Sequence, residues 1–185
     1  SRDITEVFFG CFQRDDTPVA EGHEKSTSYI QEESAKERKL RLLAWLGLYS
    51  KFTNPKALYR ADDLASHFKI LIAFTDADVQ KIALNCLLRW KTPALIANAD
   101  RLKNLLDVSK LRDELLRFVS ETEGGGIDPN QRAEIVPIFI RITYGIMTSR
   151  AGRASASSGQ GRAGRRAAIL GALRTCQPSE LNTLV

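Results

Sequence analysis

Six arginines crowd one stretch of this chain, at positions 150, 153, 162, 165, 166 and 174, with no lysine and no acid from the first to the last. Guanidinium groups at that density suit one chemistry above others, the neutralisation of nucleic-acid phosphate, because each presents a planar fork of donors that matches phosphate oxygens. From Arg150 to Arg166 the intervening residues are only Gly, Ala, Ser and one Gln. Such a segment buries too little apolar surface to offset its ordering entropy, so it reads as a flexible arm able to follow an irregular strand. Arg150, Arg153, Arg162, Arg165 and Arg166 are therefore the candidate phosphate ligands. The stretch contains no aromatic residue, which excludes base stacking by it. Ser155, Ser157 and Ser158 lie among the arginines as candidate phosphorylation sites, where each phosphate would add roughly −1.5 to −2 charges. The plainer reading is a solvated connector between two helices.

Other chemistry lacks its parts. His23 falls in a polar loop and His67 beside an apolar stripe, and neither has a Cys, Asp or Glu at metal-ligand spacing. Cys11, Cys86 and Cys176 are odd in number and far apart, which reads as reduced thiols rather than a disulfide frame. There is no Gly-x-Gly-x-x-Gly, no phosphate loop ending in Lys and no nucleophile elbow. Gly124-Gly125-Gly126 follows acids without a preceding strand, so it reads as a linker. The residues thus offer no catalytic group, metal centre, cofactor or small-molecule substrate site. The longest nearly unbroken apolar run, Leu42 to Tyr49, is too short to span a membrane. A first residue of Ser with no basic-then-apolar leader leads to the expectation of an excerpt from something longer rather than a secreted precursor.

The elements that must carry the arginines come from an ordinary globular composition, 43% hydrophobic and 26% charged over 185 residues. Outside the arginine stretch the charge is close to balanced, with 21 of the 27 basic residues against all 22 acids, so the net +5 describes one segment and not a whole face. Residues 1–34 are poorly defined. Ile4 to Phe9 fits a strand, a short helix or an apolar docking segment, and Arg14 to Ser28 reads as a loop. A HEAT-like helical region follows over 35–149. Leu42, Trp45, Leu46, Tyr49 and Phe52 repeat at helical steps up to Asn54-Pro55. Leu64, Phe68, Leu71 and Ile72 form one stripe and Val79, Ile82, Ala83, Cys86, Leu87 and Trp90 another, predicting an antiparallel pair over 62–74 and 77–91 with Thr75 and Asp78 as a capping box. Short helices are expected from Pro93 and over 101–107, then one through Leu111 to Val119, and one starting at Asp128-Pro129. That last helix is apolar on nearly every side, so it must be buried on both flanks, with a kink at Pro137. The arm at 150–166 leads to residues 167–185, the start of a further helical repeat. The trace shows no strand alternation after residue 35, and the fold class is all-α.

Phe74 to Leu87, with its Asp-rich turn, Val79-Gln80-Lys81 and Ala83-Leu84, resembles a HEAT repeat, a pattern that many scaffolds share. A more specific likeness rests on Ala83-Leu84-Asn85-Cys86-Leu87-Leu88-Arg89-Trp90-Lys91, on Arg132 to Ile138, and on Arg141-Ile142-Thr143-Tyr144-Gly145. The basic linker into Arg165-Arg166-Ala167-Ala168-Ile169-Leu170 and then Gln177-Pro178-Ser179-Glu180 extends it. Over residues 60–185 the chain resembles the down-regulated in metastasis family, the very large nucleolar HEAT-repeat proteins associated with small nucleolar RNA in the small-subunit processome. The resemblance implies a structural, non-catalytic segment of a long α-solenoid in the nucleolus, supporting processing of pre-ribosomal RNA toward the eighteen-S RNA. The partners it implies are pre-ribosomal RNA, the small nucleolar ribonucleoprotein, other processome proteins and the rest of its own solenoid. The alternative is a HEAT-type protein–protein adaptor without RNA contact.

Overall fold

The computed structural model describes residues 2–13, 34–120, 126–149 and 161–182. Among them are nine helices: α1 (Arg2–Gln13), α2 (Ala35–Tyr49), α3 (Ala61–Leu71), α4 (Ala77–Leu88), α5 (Pro93–Leu105), α6 (Leu111–Val119), α7 (Arg132–Thr148), α8 (Arg162–Leu173) and α9 (Pro178–Leu181). No strand occurs among the described residues, and the all-α class with HEAT-like antiparallel pairing holds. Successive pairs α3/α4, α5/α6 and α7/α8 stack so that α5 lies on α7 and α6 on α8.

The helix starts follow their caps. Ser34 accepts the Glu37 amide while Glu37 receives the Ser34 amide, a reciprocal pair that opens α2. The cap of α4 is Asp76 rather than Thr75, since its carboxylate accepts from the amides of Asp78 and Val79. Two other expectations give way. Residues 93–105 make one helix and not two, because Leu95, Asn98, Leu102 and Leu105 form one buried stripe with no breaker between them. Asp128 does not cap α7; it accepts from the Asn130 amide in a turn of its own, and α7 starts at Arg132.

The Ile4–Phe9 stretch, open between three readings in sequence, lies in helix α1. That helix docks through Phe8, fully buried with its ring 4.9 Å from Tyr49, 5.9 Å from Trp45 and 6.2 Å from Phe68. The loop expected from Arg14 to Ser28 falls outside the described residues, and so does His23.

Helix α7 is the centre of the packing, as its all-round apolar sequence requires. It touches α3, α4, α5, α8 and α9, and Ile135, Val136, Ile138, Phe139, Ile140 and Ile142 are buried along it. The helix runs on through Pro137. It also comes close to the α3–α4 turn. Gln80, buried on α4, donates its side-chain amide to the Ile72 carbonyl at 2.7 Å and the Ile142 carbonyl at 3.2 Å. Gly145 faces the same point, where a Cβ would overlap the Phe74 carbonyl oxygen and the Gln80 amide nitrogen. A residue without a side chain is what lets the two backbones meet.

Candidate nucleic-acid interface

The arginines divide between described and undescribed residues. Arg150, Arg153, Ser155, Ser157 and Ser158 lie outside the described residues, as does the side chain of Arg162. Arg162 nevertheless opens α8, so the expectation of a flexible arm running through Arg166 is corrected: residues 162–166 are helical. Arg and Ala are strong helix formers, and Ala168, Ile169, Ala172 and Leu173 give the helix an apolar stripe that packs on α6 and α7. Packing overrides the low-complexity signal that marks the residues before it.

Arg165 is half-buried at the edge of a groove between α6 and α8, and Arg166 is exposed with Nε donating to the Met147 carbonyl at 3.2 Å. Arg174 is exposed just beyond α8. From α6, Arg112 reaches the same groove, a residue that sequence reading passed over because its helix carries both signs of charge. None of Arg112, Arg165, Arg166 and Arg174 pairs with a carboxylate among the described residues, and α8 itself contains no acid.

Several cations elsewhere are paired with acids. Lys39 meets Asp76 at 2.6 Å, and Arg60 meets Asp63 at 2.6 Å. Arg101 lies over the Phe118 ring at 4.3 Å and donates to buried Glu114 at 3.1 Å. Arg132 grips Glu180 with two bonds, at 2.7 and 2.9 Å. Burial works to raise the Glu180 carboxyl, but the Arg132 bonds and the Gln177 amide hold it below its ordinary range. The α6–α8 face thus gathers four arginines without a carboxylate partner among the described residues.

Two other reactive side chains, His67 and Cys86, serve the core. His67 is wedged edge-on against Phe8 and Phe9, at 5.5 and 5.7 Å, and burial pushes its imidazole below the ordinary value. The Cys86 thiol donates to the Leu46 carbonyl at 3.2 Å and is pushed up to about 12 by burial. Trp90 packs edge-on against Phe68 at 5.8 Å, in the core as its spacing implies. Among the described residues no cluster of His, Cys, Asp and Glu could hold a metal ion, and no helix is long and apolar enough to cross a membrane.

Comparison with known proteins adds to this geometry. Residues 36–185 match the family model described as U3 small nucleolar RNA-associated protein 20, N-terminal. The chain is 38% identical over 101 residues to the U3 small nucleolar RNA-associated protein 20 of Saccharomyces cerevisiae, covering 55% of this chain and 4% of that protein. With the protein of the same name from Schizosaccharomyces pombe it is 35% identical over 141 residues, covering 76% of this chain and 6% of that protein. The chain thus spans a small fraction of the relatives' length.

Proposed function

Since this chain belongs to the U3 small nucleolar RNA-associated protein 20 family, we propose that it is a non-catalytic scaffold segment of the small-subunit processome in the nucleolus. In this reading its stacked helix pairs hold a fixed surface against pre-ribosomal RNA and neighbouring processome proteins during processing toward the eighteen-S RNA. The relatives' name ties those proteins to U3 small nucleolar RNA, and the reading carries that association to this chain.

The observation that supports RNA contact is the uncompensated charge at α8. A surface cation with no internal carboxylate keeps its full attraction for an external polyanion, and release of the polyanion's counterions drives the association. Arg150, Arg153, Arg162, Arg165 and Arg166 are the proposed phosphate ligands. Phosphorylation of Ser155, Ser157 or Ser158 would weaken the contact by placing negative charge among them.

Titration of the chain with structured ribosomal RNA across salt tests this. If all five arginines neutralise single-stranded phosphates, the log–log salt slope reaches about −3.5, from roughly −0.7 per phosphate. Changing the five to Ser should remove most of that slope, with little dependence on RNA sequence in either protein. An affinity and slope unchanged by the substitutions would leave a protein–protein adaptor as the better reading.

A further inference from the structure

We infer that the groove between α6 and α8 is a docking site for an acidic amphipathic helix of a partner protein. The groove measures about 270 Å³; Leu111 and Leu115 of α6 and Gly164 and Ala168 of α8 line it, with Arg112 and Arg165 also in its wall. Two ridges flank it. On α6, Arg112 and Leu116 stand one turn apart on one face; on α8, Ala167, Leu170 and Arg174 follow at i, i+3 and i+7. Leu116 is 63% exposed and Leu170 is 52% exposed, so each ridge offers solvent one large apolar side chain and one arginine.

That pairing decides the class of occupant. A polyphosphate could use the arginines, but nothing in it would bury the leucines, and no aromatic lines the groove to stack a base. A helix seated along the groove would use both features. Apolar residues spaced at i, i+3 or i+4 and i+7 would cover Leu116 and Leu170, and flanking carboxylates would meet Arg112 and Arg174. The sign of the charge follows from α8 holding no acid and from neither Arg112 nor Arg174 having a carboxylate partner among the described residues. A basic or neutral helix would leave that repulsion or desolvation uncompensated. The inference does not depend on RNA binding by residues 150–166.

The probe is a fluorescein-labelled synthetic helix with leucines at i, i+3 and i+7 and glutamates on both flanks, titrated into the full chain by anisotropy. Its counterpart carries lysines in place of the glutamates. The glutamate helix should bind and the lysine helix should not. Both Leu116→Ser with Leu170→Ser and Arg112→Glu with Arg174→Glu should weaken the glutamate helix by about tenfold or more, the scale of two exposed charge pairs turned to repulsion. The arginine variant should in turn gain affinity for the lysine helix, a rescue that a misfolded protein could not give. Equal binding of the two helices, or indifference to both double substitutions, overturns the inference. So does binding of oligouridylate that Arg112→Glu with Arg174→Glu abolishes while neither helix binds, or a self-association of the chain that the leucine substitutions abolish.

Discussion

Replacing Gln80 with leucine isolates the joint between α4 and α7. The two side chains are close in size, so the change removes a donor without opening a large cavity. The Ile72 carbonyl lies just past the end of α3 and receives Gln80 Nε2 at 2.7 Å; leaving it bare costs about 1–3 kcal/mol. The Ile142 carbonyl, 3.2 Å from the same nitrogen, belongs to the helical ladder of α7 and loses only a second bond, about 0.5–1.5 kcal/mol. The expected loss is about 2–4 kcal/mol, or about 4–16 °C in the melting temperature of a domain this size. Gly145→Ala attacks the joint from the other side. Alanine is the better helix former by about 1 kcal/mol, but its Cβ would overlap the Phe74 carbonyl and sit 3.0 Å from that of Ala73, and backbone cannot step aside as a side chain can. That variant should be destabilised despite its propensity, and the double variant should cost less than the two losses added, because either change alone parts the same surfaces. Thermal and urea unfolding followed by helical circular dichroism would measure all three. A neutral or stabilising Gly145→Ala, or a Gln80→Leu loss under about 0.5 kcal/mol, would refute the reasoning.

Three further outcomes are expected. Leu87→Ala should cost about 2–5 kcal/mol by urea unfolding, while Ile82→Ala should cost distinctly less, since the structure leaves Ile82 half-buried at the edge of the core rather than within it. His67, whose folded value is lowered by burial, contributes its full stability above the unfolded value of about 6.5, and that contribution is lost as pH falls toward the folded value because the unfolded chain takes up the proton first; His67→Phe should flatten this part of the pH–stability curve. Cys86 should resist alkylation by iodoacetamide at pH 8 in the folded chain and react on unfolding, read by mass spectrometry of the peptide that contains it.

The helical frame was legible because burial writes a period into the sequence. Leu64, Phe68 and Leu71 face inward as their spacing implies, and α7 is surrounded as a helix apolar on nearly every side demands. The boundaries were less so. Asp128-Pro129 has the composition of a helix start, yet the Asn130 amide takes the carboxylate for a local turn, and composition does not say which amide will win. Arg162 to Arg166 looked like more of the Gly/Ser/Ala tract because the reason for their being helical, the bed offered by α6, is fifty residues away in sequence. Distance hid Gln80 and Arg112 in the same way. Each is an ordinary polar residue on an amphipathic helix until a second helix arrives beside it.

The bond from Gln80 to Ile142 reaches across 62 residues, and α3 meets α7 across a whole intervening pair. In a simple repeat array each unit touches only its neighbours and can be added or lost alone. Here the α3–α4 hairpin is incomplete until α7 exists. On a ribosome elongating at about 5–20 residues per second, the partner of Gln80 emerges about 3–12 s later. Through that interval the faces of α3 and α4 that meet α7 stand open to water or to whatever else binds them. Helix formation takes about 0.1–1 μs and hydrophobic collapse up to about 100 μs, so the wait is set by synthesis and not by search. The segment should therefore engage a holding chaperone as a nascent chain and release it in one step as residues 132–148 clear the exit tunnel.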